Sequence, residues 1–215
     1  MTETILISFP RSGANWVRYV VESVTGRPTP GYKKLVVGDD YVFHSTHDVR
    51  VRHEEVVYEA SVTDDAGKPL HKRALLLLRN PLEIFVREIM IARKTESVKA
   101  GLPQLGQLLA NLEFYAAFTG PKLLVHYEDL IADFSHMERI LLFLGIPFDR
   151  SEFDLEAAIK ASTDWYDEKH GAFTRADPKD FKFHSRRLSQ QDQKAILEYL
   201  TAHASPAVIK YLQRY

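Results

Sequence analysis

Ile5-Leu6-Ile7-Ser8-Phe9-Pro10-Arg11-Ser12-Gly13-Ala14-Asn15-Trp16-Val17-Arg18 decides the fold. Ile5, Leu6, Ile7 and Phe9 form an apolar run of strand length. Pro10 cannot pair inside a sheet, so the strand is expected to stop there. Ser12 and Gly13 are turn and cap residues. Trp16, Val17, Val20, Val21 and Val24 then recur at helical spacing, and Thr25-Gly26 marks the stop. A strand that feeds a turn and then a helix points main-chain N–H groups outward at the positive end of the helix dipole, which makes an anion site. Arg11 adds a permanent cation to the same turn. The pattern is not a Walker loop, because no G-x-x-x-x-G-K-[ST] is present. From these residues alone two readings stand: a phosphate-binding turn, or an ordinary first strand–helix unit with a surface arginine.

The rest of the chain repeats this alternation. Tyr41 to His47 reads as a short strand with a polar end, Arg73 to Leu78 as a buried strand ending in Arg79-Asn80-Pro81, and Pro121 to Tyr127 as another. Helical periods follow at Leu82, Phe85, Val86 and Ile89, at 108–118, at Met137, Ile140, Leu141 and Leu144, at 153–161, and at 190–202 and 207–213. The segment 55–62 alternates weakly before a turn at 64–69, which suggests a hairpin. Thr95 to Leu105 is polar, with Gly101-Leu102-Pro103, and reads as a mobile cover. Ser162 to Leu188 is polar and aromatic with little period. The expected architecture is α/β, with three layers around a mainly parallel sheet. Ligands of such sheets sit at the carboxyl ends of the strands. Arg11 and Ser12, His47, Arg79, and Tyr127-Glu128-Asp129 all stand at such ends.

Composition sets outer bounds. A chain of 215 residues with 45% hydrophobic and 27% charged residues is expected to fold as one domain, residues 1–215. A formal net charge of −1 provides no global field for nucleic acid or acidic membrane, so any anion site is local. The absence of cysteine excludes disulfides, thiol catalysis and thiolate metal sites. No apolar run approaches ~20 residues, so no membrane span is expected. The start of the chain has no signal-peptide layout, and a cytoplasmic location is expected.

Three motifs, in order, resemble the sulfotransferases that use 3′-phosphoadenosine 5′-phosphosulfate (PAPS). Phe9-Pro-Arg-Ser-Gly-Ala-Asn-Trp16 is similar to Y-P-K-S-G-T-T-W. Leu75-Leu-Leu-Leu-Arg-Asn-Pro-Leu-Glu83 is similar to a strand ending in R-N-P. Tyr127-Glu-Asp-Leu130 with Phe143-Leu-Gly145 is similar to Y-E-D-L and F-L-G. The resemblance runs from Thr4 to Pro147 and implies the P-loop-like sulfotransferase fold, with PAPS as co-substrate and no metal.

It also implies roles. Arg11, Ser12, Gly13, Ala14 and Asn15 would hold the 5′-phosphosulfate, with Arg11, in the place of the usual Lys, meeting charge on the bridging oxygen. Ala14 and Asn15 replace two threonines. Trp16 would touch the adenine, or else face the core. Arg79 would pair with the 3′-phosphate. Arg87 stands where the family commonly has Ser, either as a second fork for that phosphate or as a solvated helix residue. Tyr127 would contact the adenine, and Glu128 and Asp129 would cap the following helix. Of the late R-K-G strip only His184-Ser-Arg-Arg187 remains, which makes Arg186 and Arg187 candidates. Thr163 and Trp165 would close over the adenine.

Ser45-Thr46-His47 stands where the family has K-T-H, with His47 as the general base. His44 and Asp48 are its rivals. The acceptor implied is a small molecule, lipid or carbohydrate, chosen by the loops 28–40, 50–70 and 95–105. A nucleotide-dependent kinase and a non-catalytic binder of 3′,5′-adenosine bisphosphate are the alternatives.

Overall fold

A computed structural model describes residues 3–31, 35–51, 59–170 and 184–215, without the side chains at 152, 163–170, 184 and 186. The first strand, β1 (Thr4–Ser8), is buried at every position. It pairs in parallel with β2 (His44–Thr46) on one side and β3 (Arg73–Leu78) on the other, and β4 (Lys122–His126) pairs in parallel with β3. The order is therefore β2-β1-β3-β4, with every pairing parallel. All four carboxyl ends lie along one edge of the sheet. The chain crosses from β2 on one side of β1 to β3 on the other, which makes the β1/β3 edge the topological switch point.

The alternation of strand side chains divides the core in two. Leu6, Leu75, Leu77 and Val125 face α1 (Ala14–Thr25), α5 (Tyr127–Ala132) and α6 (Ser135–Phe143), packing on Val17, Val20, Leu130, Met137 and Ile140. Ile5, Ile7, Ala74, Leu76 and Leu78 face the opposite layer. That layer contains α2 (Pro81–Ile84), which winds on as a wide π-type helix over Phe85–Ala92, and α4 (Gly106–Ala117). It also contains α8 (Gln190–His203) and α9 (Pro206–Leu212). The bond from Arg93 N–H to the Glu88 carbonyl, 2.9 Å long, spans five residues and shows the π winding directly.

The expected caps hold at two places. Gly26 closes α1 in the left-handed region at φ 61°, its N–H on the Glu22 carbonyl. Pro81 opens α2 behind Asn80, whose side chain accepts from Leu82 N–H. The segment read as a mobile cover is helical instead. Ser97 caps α3 (Val98–Gly101), and a 3₁₀ turn, Leu102–Leu105, carries the chain into α4. Leu105 is fully buried, and Gly101 packs so closely that a Cβ would stand 2.7 Å from both Phe85 and Ile89. The helix expected at 153–161 is α7 (Leu155–His170), which continues further than its period suggested. The hairpin suggested from residue 55 lies partly outside the described residues. Its turn is present, with Asp64 and Lys68 bonded and Thr63 bridging Pro69 in antiparallel. No helix among the described residues is long and apolar enough to cross a membrane.

Candidate functional site

The turn after β1 is tight. Ser12 N–H bonds the Phe9 carbonyl, and Arg11 takes the left-handed φ of 69° that a non-glycine residue adopts at a cost. Gly13 follows at φ 93°, and a Cβ there would stand 2.3 Å from the Tyr127 ring. Only glycine fits, because the ring that closes the end of β4 lies directly on the turn. Gly13 caps α1 without a side-chain bond, so Ser12 is not the cap that its type suggested. The N–H groups of Ala14 and Asn15 have no intrahelical acceptor. The Ser12 hydroxyl is buried and has no hydrogen-bond partner among the described residues.

Arg79, at the end of β3, reaches the same turn. Its Nη1 donates to the Arg11 carbonyl at 2.9 Å, and its guanidinium lies over the Tyr127 ring at 4.2 Å. Burial lowers its pKa from the ordinary arginine value. Glu83, one turn on, is buried and gathers three groups: Arg79 Nη2 at 3.8 Å, Arg87 Nε at 3.2 Å and the Ser185 N–H at 2.9 Å. Burial alone would raise the Glu83 carboxyl, but the bonds to Ser185, Arg87 and Arg79 outweigh it and hold the group below its usual range. The 3₁₀ turn His184–Arg187 is thereby set beside Arg79 and Arg87. Arg187 is exposed there. The side chains of Arg186, Thr163 and Trp165 lie outside the described residues.

His47 follows β2, in register beside Ser8. Its Nδ1 lies 2.9 Å from the Ser8 carbonyl and 3.1 Å from the Ser8 hydroxyl. A carbonyl can only accept, so Nδ1 carries the proton and Nε2 keeps the lone pair. The main chain of His47 is clamped. Glu59 accepts from its N–H at 3.0 Å, and Gln107 and Asn111 on α4 donate to its carbonyl at 2.9 and 2.8 Å. The rivals sit differently. His44, at the opposite end of β2, bonds His71 at 2.9 Å, and burial lowers its pKa. Burial pushes the Asp48 carboxyl up, but a two-pronged bond from Arg50 prevails and leaves it below its usual value.

Other expected residues are placed as follows. The half-exposed Arg11 pairs with Glu88 at 3.3 Å. Asn15 accepts from Arg18 Nη1 at 3.0 Å. Trp16 is buried and stacks on Tyr19 in the core beside Leu6. Glu128 and Asp129 do not bond the start of their own helix: Glu128 takes the Asn80 N–H and the Tyr215 hydroxyl, and Asp129 takes Arg214. Glu59, Gln107 and Asn111 carried no sequence signal, because each acts only through a distant segment brought alongside it.

No protein-family model matches the chain, and no curated protein matches it by sequence. Among solved structures, the crystal structure of the mouse sulfotransferase SULT7A1 complexed with PAP aligns over 100% of this chain and 88% of its own, with a TM-score of 0.59 at 18% identity.

The chain has the sulfotransferase fold.

In this sulfotransferase fold the turn after β1, Arg79 and Tyr127 form one contact unit at the switch point. His47 stands one strand away, bonded back to β1 through Ser8.

Proposed function

We propose that the protein transfers a sulfuryl group from PAPS to an acceptor hydroxyl, or less favourably to an amine. The observation that carries this reading is the buried Ser12 hydroxyl, which has no hydrogen-bond partner among the described residues. An unmet polar atom costs about 1–3 kcal/mol in a folded core. A ligand oxygen in the turn would meet it, together with the N–H groups of Gly13, Ala14 and Asn15.

The 5′-phosphosulfate occupies this turn. Arg79 and Arg87, with Arg186 and Arg187 closing from the C-terminal side, take the 3′-phosphate, and the adenine lies toward Tyr127, Trp16 being in the core. His47 Nε2 accepts the acceptor's proton as its oxygen attacks sulfur in line. The new S–O bond forms while the bond from sulfur to the bridging oxygen breaks. That oxygen keeps the electron pair as part of the 5′-phosphate, and Arg11 meets its charge. The products are a sulfate ester and 3′-phosphoadenosine 5′-phosphate (PAP), and the imidazolium returns its proton to solvent. Placement and preorganised cations supply the catalysis, so the step calls for no metal. Arg11 is half exposed in its pair with Glu88, and Glu88 has a second partner in Arg93, so a phosphosulfate draws Arg11 away without leaving the carboxylate unpaired. The reading includes one domain over residues 1–215, a cytoplasmic location and a small-molecule, lipid or carbohydrate acceptor.

Radiolabelled PAPS supplied with phenols, steroids, lipids and sugars tests it. The wild type is expected to label at least one acceptor class. His47→Asn should bind PAP normally and lose transfer by about a hundredfold or more. PAP binding without transfer to any acceptor would indicate a non-catalytic binder. Binding of ATP with Mg²⁺ but not of PAP would indicate a kinase.

A further inference from the structure

Arg93 ends the π-wound helix, and its guanidinium lies over the Phe9 ring at 5.7 Å. Its Nε donates to one oxygen of Glu88 at 3.1 Å, and the other oxygen of that carboxylate pairs with Arg11 at 3.3 Å. Its Nη1 donates to Gln104 at 3.2 Å and its Nη2 to Gln107 at 3.1 Å. Gln107 in turn donates to the His47 carbonyl at 2.9 Å. One guanidinium therefore stands a single carboxylate from the turn's cation and a single carboxamide from the backbone of the base. Asp48, beside His47, also feels its charge.

Two features make this more than a bracket between helices. A guanidinium has five N–H donors, and three are used on Glu88, Gln104 and Gln107, which leaves two among the described residues. Two of the three acceptors are neutral amides, which orient the group without cancelling its charge. Arg11 and Arg93 share one carboxylate, so these three groups together carry one net positive charge.

We infer that Arg93 is a second cation at the transfer point, donating to the equatorial oxygens of the sulfuryl group between Arg11 and His47. This rests on the sulfuryl-transfer reading above and extends it to a catalytic residue that lies outside the three motifs. Held by three bonds, the fork is aimed before the donor arrives, and charge spreading onto those oxygens meets a fixed partner.

The test compares PAPS with PAP, which differ by the sulfuryl group, by calorimetric titration, with thermal melts to verify folding. Arg93→Gln should weaken PAPS by about tenfold or more, the worth of a charge-assisted bond, and leave PAP within about twofold. Arg93→Met keeps an apolar stem over Phe9 and provides the same reading if the Gln variant fails to fold. Arg93→Lys should restore part of the PAPS preference. If the Gln and Met variants shift both nucleotides equally, or neither, Arg93 is only a structural bracket. A wild type that binds neither nucleotide would instead overturn the sulfuryl-transfer reading itself.

Discussion

The guanidinium of Arg79 bonds the carbonyl of Arg11 at 2.9 Å, across 68 residues of sequence. The bond joins the ends of two neighbouring parallel strands, β1 and β3, and fixes the turn against the arginine that the R-N-P motif provides. The Arg11 carbonyl is thereby engaged, while the N–H groups of Ala14 and Asn15 have no intrahelical acceptor. The left-handed φ of Arg11 and Gly13 fits that arrangement, because it turns successive N–H groups toward one side.

Gly13→Ala should dismantle this turn. The new Cβ would need a φ that favours glycine and would collide with the Tyr127 ring. A loss on the order of 2–4 kcal/mol is expected from combined backbone strain and overpacking. Denaturant melts measure it, with Ala14→Gly, one residue on, as a control expected to cost about 1 kcal/mol.

Local pattern was enough for the strands, the turn and the motif order, because burial in a parallel sheet forces apolar runs, and Pro10, Gly26 and Pro81 punctuate them. It failed at 95–105. There Gly101 and Pro103 read as breakers, whereas Gly101 is the residue small enough to pack on Phe85 and Ile89 and Pro103 sits in a first helical turn, where its missing N–H costs nothing. The candidate site was legible only where a residue's type announces its chemistry. Arg11, His47 and Arg79 did so, but the residues that hold them did not. Glu59 reaches His47 from 12 positions away, Asn111 from 64 and Ser185 reaches Glu83 from 102. Such partners depend on tertiary approach and leave no mark in spacing.

The clamp on His47 predicts a separation of turnover from binding. Asn111 is fully buried and uses both ends of its amide, accepting from Val49 N–H and donating to the His47 carbonyl. Asn111→Leu should lower transfer by about tenfold through misplacement of the base. PAP affinity should stay unchanged, since the proposed nucleotide turn follows β1 rather than β2. Parallel assays of labelled transfer and PAP titration check this.

The His44–His71 pair predicts an acid limb to stability. Burial, with His44 adding to it, lowers His71 to about 4 from its ordinary 6.5, and the His71 Nδ1 has no partner among the described residues. The unfolded chain binds more protons between these values, so stability falls as pH drops from about 6.5 toward 4. At the foot of that window the loss is on the order of 3 kcal/mol. Melts of the wild type and His71→Phe at pH 7 and 4.5 should show a steeper decline in the wild type.

The central claim is that the phosphate turn and Arg79 grip the two phosphorylated ends of one adenosine nucleotide. Calorimetric titration with PAP and with 5′-AMP, which lacks the 3′-phosphate, tests this most directly. Wild-type protein is expected to prefer PAP by about a hundredfold, the worth of a forked arginine–phosphate contact, and Arg79→Ala should erase most of that preference. Equal affinity of the wild type for the two nucleotides, or a preference that survives Arg79→Ala intact, would contradict it.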